Sequence, residues 1–363
     1  MKLEDFLISV AQACQRRGPE DHIVLSTRVR LARNISKMSF PGWAKKAERV
    51  KALETLRPAV EKSPEMAEGF SEGMENLTAL DKQILVERHL ISREHAAKNA
   101  GSGLVLNRDE TICVMINEED HLRMQVIQPG LQLKENWTII DRLDTGLEAS
   151  LDYAYSREYG YLTACPTNLG TGIRGSAMLH LPGLVLSEQV NQVVQAVNKL
   201  GLAVRGLYGE GTEALGNVFQ VSNQMTLGES ESEIVERLEK VVCQVIDQEK
   251  NARQTLIEKK PKVLFNHIGR AYGTLGNAYS ITSKETMNLL SLLKLGVDMG
   301  MFPGMERTLV DELFVLTQPA HLQKQSAGAA EKLSADERDL LRADMLRQRL
   351  QNVPKPTPPA AAS

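Results

Sequence analysis

The chain has 363 residues, 42% of them hydrophobic and 25% charged, with a formal net charge of -3. This is the composition of a globular protein, long enough for one large domain and a smaller one. The charge balance argues against a basic nucleic-acid surface, and no direct nucleic-acid binding is expected.

Four scattered cysteines, Cys14, Cys113, Cys165 and Cys243, form no CxxC pair and no His/Cys ligand spacing. Neither a disulfide framework nor a structural metal site is expected, and a reducing cytoplasm is the natural setting. Acidic residues interrupt the apolar stretch at the N-terminus, so it does not read as a secretory signal. No window approaches the ~18 apolar residues that span a bilayer, so no membrane association is expected.

In chain order, Leu3, Phe6, Leu7, Val10 and Cys14 share one helical face, which predicts a short amphipathic helix over 3–16. Residues 23–31 read as a strand and 43–62 as a charged helix. Three β-like runs lie between Gly103 and Gln128, a long helix over 131–158 and another over 187–200. Strand-like runs recur at 174–181, 202–207 and 217–227. Ser230-x-x-Glu233 has the form of a capping box and opens a helix to about Glu258. Beyond residue 260 strand signals fade, and 283–297, 304–317 and 334–350 are helical by periodicity. The tail PKPTPPAAAS is too rich in proline and small residues to pack and is expected to be disordered.

The expected fold class is therefore α+β, an antiparallel sheet flanked by helices and followed by an all-helical domain. The predicted boundaries are 1–21 for the N-terminal helix, 22–255 for the α+β domain, 260–350 for the helical domain and 354–363 for the tail.

No P-loop pattern occurs. Gly170-Thr171-Gly172-Ile173-Arg174-Gly175 matches GxGxxG, but it follows a turn-like segment and leads into a predicted strand, which excludes a dinucleotide fingerprint. Arginine on predicted strands, beside short acidic clusters, is the more informative pattern. Arg28 and Arg30 lie two apart and project from one face of their strand. Taken singly, each of these signals fits a solvated basic face, a polar turn or an ordinary hairpin.

STRVRLAR (26–33), NEEDHLR (117–123), CPTNLGTG-x-R (165–174) and RG-x-x-GE (205–210) occur in this order. The combination resembles the phosphagen kinases, the arginine and creatine kinase family, over roughly residues 22–255. The resemblance implies the phosphagen kinase fold and binding of ATP, with Mg²⁺ held mainly through its phosphates. It assigns the phosphate-binding arginines as Arg28, Arg30, Arg123, Arg174 and Arg205. His89 matches a histidine lying against the nucleotide. The wider ATP-binding set is Ser26, Thr27 and Val29, then Gly175, Ser176, Ala177 and Met178, then Gly206, Leu207, Tyr208, Gly209 and Glu210. Glu119 and Glu210 match the carboxylates that hold the acceptor guanidinium, and Cys165 the cysteine beside it. Met178 stands where small-molecule members often carry histidine.

The chemistry agrees with these roles. γ-Phosphoryl transfer depends on alignment and charge stabilisation, which clustered arginines and Mg²⁺ supply. A guanidinium, with a pKa above ~12, must be gripped and relieved of a proton, a task for paired carboxylates.

Only 25 residues precede Ser26, where small-molecule members carry a helical domain that closes over a free amino acid. An open acceptor side, suited to an arginine within a protein, is therefore expected. With the helical extension, this resembles bacterial protein arginine kinases of the McsB type. That branch implies a stress-response role in marking proteins for an AAA+ unfoldase and its protease. It also implies a heat-shock repressor as one substrate, a zinc-binding activator protein and a homodimer. Arg338, Asp339, Arg342 and Ala343 resemble the branch's RDxxRA phosphoarginine-binding allosteric motif. The alternatives are a kinase of free arginine or another small guanidine, and an adaptor that binds phosphoarginine.

Overall fold

The structure is a computed structural model, which describes Cys14 and residues 16–206, 214–326 and 332–358. The predicted helix over 3–16 lies outside the described residues, apart from Cys14 and Arg16.

The strands in chain order are β1 (Val24–Arg33), β2 (Phe70–Gly73), β3 (Gly103–Leu106), β4 (Ile112–Ile116), β5 (Leu122–Gln128), β6 (Tyr155–Ser156), β7 (Gly160–Tyr161), β8 (Ile173–His180), β9 (Leu202–Gly206) and β10 (Val218–Asn223). Eight of them build one antiparallel sheet in the order β2-β3-β4-β5-β1-β8-β10-β9, with β6 and β7 a separate hairpin. The helices are α1 (Lys46–Glu61), α2 (Ala79–Glu87), α3 (Arg93–Ala96), α4 (Leu133–Glu148), α5 (Pro182–Leu186), α6 (Val190–Lys199), α7 (Glu231–Lys259), α8 (Pro261–Asn277), α9 (Ser283–Asp298), α10 (Arg307–Leu316), α11 (Pro319–Gln325) and α12 (Ala335–Leu350). This is the α+β class expected from the sequence.

Alternation along each strand divides the sheet into two chemically distinct faces. Val29 and Leu31 on β1, Met124 and Val126 on β5, and Ile173 and Ala177 on β8 are fully buried. They pack with Leu56 of α1, Ile140 and Leu143 of α4, and Leu238 and Val242 of α7 in one core. The opposite face carries Arg28 and Arg30. Over β2–β4 a second core covers it, in which Met74, Leu85 and Leu90 meet Leu104, Leu106 and Met115.

Capping boxes start α7 at Ser230 and α12 at Ser334, as their sequences predict. α5 starts on Pro182, and Gly183 N and Leu184 N donate to the buried Glu249 carboxylate of α7 (2.8 and 2.9 Å). Gly183 is required for this approach, because a Cβ there would lie 2.9 Å from Glu249 Oε1. Arg253 Nε balances the acid at 2.7 Å, as burying a lone carboxylate would be strongly unfavourable.

The helix predicted over 131–158 ends at Glu148, and residues beyond Ser150 lead into the β6–β7 hairpin. α8 was not legible in the sequence. It packs Leu264, Ile268 and Leu275 against α9 and α12 in a third core, that of the helical domain. Residues 354–358, read as the start of an unpacked tail, touch that domain where Thr357 N donates to Met301 O (2.8 Å).

Candidate functional site

In register, Arg30 of β1 faces Arg174 of β8 and Gln125 of β5, while Arg28 faces Ser176 and Ile127. Arg123 faces Ala32, and Ser26, Met178, Gln220 and Arg205 form one row across β1, β8, β10 and β9. Directly opposed residues in antiparallel strands share a face. All five predicted arginines therefore project from the same side of the sheet.

The electrostatics show how tightly they are grouped. Desolvation pushes the Arg28 guanidinium down to about 10, and the Arg123 and Arg174 charges add to it. Arg30 falls well below its ordinary value through burial, then through Arg28, Arg123 and Arg174. Arg174 is lowered by desolvation and by Arg205 and Arg123. Among the described residues, Arg123 has a buried acid partner, Glu118 (2.7 Å), whereas Arg28, Arg30 and Arg174 form no ion pair. Arg30 Nε is buried without a hydrogen-bond partner. A polyanion on this face would satisfy those donors and relieve the repulsion, so the residues fit a triphosphate.

His89 reaches this face through the end of α2. His89 N donates to Val86 O and Leu90 N to Leu85 O, a Schellman closure with His89 in the left-handed position (φ 61°). A non-glycine residue there costs about 1 kcal/mol, and Gln125 Nε2 steadies the turn by donating to His89 O and Leu90 O (3.0 and 2.9 Å). Desolvation, then the Arg28 charge, pushes the imidazole down to about 4, so it meets a ligand as a neutral ring. His89, Ser26 and Met178 line a cavity of about 300 Å³.

Each residue of the NEEDH turn has a separate task. Asn117 adopts a left-handed φ of 57° and Asn117 N closes the turn onto His121 O (3.0 Å). Glu118 is buried and holds Arg123 with both oxygens (2.8 and 2.7 Å). Burial would raise its carboxyl, but Arg123 and hydrogen bonds from Ser92, Arg123 and the Glu119 amide hold it below the ordinary range. Glu119 projects from the turn, exposed. Partial desolvation, then Asp120 and Glu118, raise its pKa, which makes it a better proton acceptor. Asp120 accepts from Asn34 Nδ2 and Ala164 N (both 2.6 Å) and ties the turn to the Cys165 segment.

Cys165 heads a single 3₁₀ turn, with Asn168 N donating to its carbonyl (3.0 Å) and its Sγ 3.0 Å from Thr167 Oγ1. An electrostatic interaction couples it to Arg174, which places it beside the arginine face. Gly170 and Gly172 (φ 104° and 68°) turn the chain straight into β8, so the GxGxxG match opens a strand as expected.

The side chains of Thr27, Val29 and Ala177 fall on the helix-covered face, toward which a Cβ at Gly175 would also point, and do not reach a ligand on the arginine face. Thr27 Oγ1 donates to Gly130 O (3.0 Å), and Gly175 abuts Leu238. Arg205 is exposed on edge strand β9, and Gly206 ends it. Leu207, Tyr208, Gly209 and Glu210 lie outside the described residues. Glu118, Asp120, Asn34 and Gln125 are positioning residues that motif reading left unassigned. Glu118 and Asp120 were signalled only as members of the acidic NEEDHLR cluster, and Gln125 only by its alternation with Arg123 on one strand.

In the helical domain Arg338 and Arg342 both lie on α12, but Arg342 is almost fully buried. Its Nε donates to Thr317 O (2.9 Å) and its Nη1 to Ile281 O (2.8 Å) and to Asp339. Arg338 Nη1 donates to Leu333 O (2.6 Å) and is half-buried. Ala343 is packed in the helical core. The motif's two arginines are thus unequal, one structural and the other nearer the surface.

Residues 52–252 match the family described as ATP:guanido phosphotransferase, C-terminal catalytic domain. Residues 261–361 match the protein-arginine kinase McsB C-terminal domain. The protein-arginine kinase of Halothermothrix orenii is 45% identical over 334 residues, 92% of this chain and 95% of that one. That of Desulforamulus reducens is 47% identical over 339 residues, 93% and 94% of the two chains. That of Bacillus subtilis is 42% identical over 353 residues, 96% of each. Among solved structures, lombricine kinase superposes with a TM-score of 0.56 at 25% identity, covering 66% of this chain and 70% of that one. With the sheet and the helical domain both matched, the chain belongs to the protein-arginine kinase family of ATP:guanido phosphotransferases.

Proposed function

We propose that this protein transfers the γ-phosphoryl group of ATP to a guanidinium nitrogen of arginine residues in other proteins. The observation that carries the reading is the shared face of Arg28, Arg30, Arg123 and Arg174, bordered by the Glu119 turn and the Cys165 segment. The arginines would bind the triphosphate and stabilise charge on the transferring group, whose loose, in-line transition state demands alignment above all. Mg²⁺ would arrive as part of the nucleotide complex, bound by phosphate oxygens. Glu119, with its raised pKa, would orient the acceptor guanidinium and take its proton as the N–P bond forms and the bond to the β–γ bridging oxygen breaks. ADP leaves with that oxygen. Glu210 is proposed as the second carboxylate of the grip, and Cys165 as a neighbour of the acceptor.

On this reading the modified proteins would be handed to an AAA+ unfoldase and its protease in a stress response. A heat-shock repressor would be among the substrates and a zinc-binding protein the activator. The helical domain would support a cytoplasmic homodimer and, through Arg338, read phosphoarginine.

The test is incubation with ATP, Mg²⁺ and a folded basic protein. Label should be acid-labile, because a P–N bond hydrolyses where a serine ester persists. Glu119→Gln should abolish labelling while retaining ATP binding. Acid-stable label, or free arginine as the preferred acceptor, overturns the proposal.

A further inference from the structure

The cavity that holds Ser26, His89 and Met178 has a second wall from a different part of the chain. Met287 of α9, Phe314 of α10 and Gln318, which precedes α11, line it together with those three. We infer that the helical domain completes the nucleotide site by supplying an apolar wall against the adenine base. The inference rests on the nucleotide reading above and adds residues beyond the motif blocks that carried it.

Volume and chemistry support it. At about 300 Å³ the cavity lies at the small end of ligand pockets, which span ~300–1,000 Å³. The thioethers of Met178 and Met287 and the Phe314 ring, all lining the cavity, offer polarizable surface to a flat heteroaromatic ring. On the sheet side His89 is neutral, so base binding would be led by packing and would not need charge. The triphosphate would then extend from Ser26 along β1 toward Arg28 and Arg30, which follow it on the same face.

The wall is fixed in place. Gln318 Nε2 donates to Phe314 O (3.0 Å) and lies 3.1 Å from Met287 Sδ, joining its three members. Arg17 pairs with Asp311 (2.9 Å) and donates to Thr308 Oγ1 (2.7 Å), while Arg307 pairs with Asp21 (2.5 Å). α10 is thereby strapped to the segment that enters β1. On the other flank, Glu87, next but one to His89, accepts from Ala320 N and His321 N of α11 (2.8 and 3.1 Å). Gly216 N donates to Asn288 Oδ1 of α9 (2.9 Å), which anchors the segment entering β10.

The experiment uses the full chain and two probes, Mg·ATP and inorganic tripolyphosphate, the second lacking a base. Phe314→Ala should weaken ATP binding about tenfold, the scale of ~1.4 kcal/mol of lost aromatic contact. Tripolyphosphate binding should change less than about twofold. In turnover, KM for ATP should rise far more than kcat falls. Phe314→Leu, which keeps most of the volume and guards against misfolding, should show a smaller loss in the same direction. ATP affinity unchanged in a folded Phe314→Ala protein overturns the inference, as does equal weakening of both probes, the sign of a purely structural role. A parent protein that binds neither probe would instead refute the nucleotide reading on which it rests.

Discussion

Arg30 and Arg174 stand directly opposite one another across the ladder of β1 and β8, two like charges on one face of a sheet. Cross-strand pairs of like sign destabilise by roughly 0.2–1 kcal/mol, and Arg30 Nε also lacks a partner. Without nucleotide, Arg30→Met should therefore raise the unfolding free energy by about 1 kcal/mol in urea denaturation. Mg·ATP at ~100 times its Kd should stabilise the parent by about 2.7 kcal/mol and the variant by far less. A variant that is destabilised, yet gains fully from ATP, would refute the phosphate assignment.

Glu118 and Arg123 form the site's buried ion pair. Removing one partner strands the other, and Glu118→Gln should cost about 2–4 kcal/mol, below the fully buried case because Arg123 keeps 20% of its side chain exposed. Since the folded carboxyl titrates below its unfolded value, the pair's contribution is fully present above the unfolded pKa. It is lost as pH falls through the lower folded one. The variant should lack this portion of the acid-unfolding curve. An unchanged acid transition would refute the assignment.

Asp120 is the largest charge contribution raising the Glu119 pKa, after partial desolvation. Phosphoryl transfer that needs ionised Glu119 should fail on the acid side, above the ordinary carboxylate range. Asp120→Asn can still accept from Asn34 and Ala164, and it should move that acid limb of kcat/KM to lower pH. A limb that stays put, or moves up, would exclude Glu119 as the titrating group.

Arg342 and Arg338 should separate by assay. Arg342→Met leaves the Thr317 and Ile281 carbonyls without a charged donor, and at ~1.5–3 kcal/mol each it should cost about 3–6 kcal/mol of stability. Arg338→Ala should cost under about 1 kcal/mol and, as the residue proposed to read phosphoarginine, abolish activation by added phosphoarginine. Melting curves and an activation assay decide it. Retained activation in Arg338→Ala would end the allosteric reading.

The sequence by itself determined the two periodicities, the caps at Ser230 and Ser334, and the motif blocks, because these depend on residues close together in the chain. Arg28 and Arg30 could be placed on one side of a strand by parity alone. Only the tertiary structure brought Arg123, Arg174 and Arg205 to the same side, since strand order and register arise from pairings across the whole α+β domain. It alone joined Asp120 to Ala164, and set Met287 and Phe314 around the same cavity as His89, from segments with no shared periodicity. It also divided the roles of Arg338 and Arg342, because positions i and i+4 share a helix face but lie one turn apart along the axis, and packing buries one while leaving the other nearer the surface.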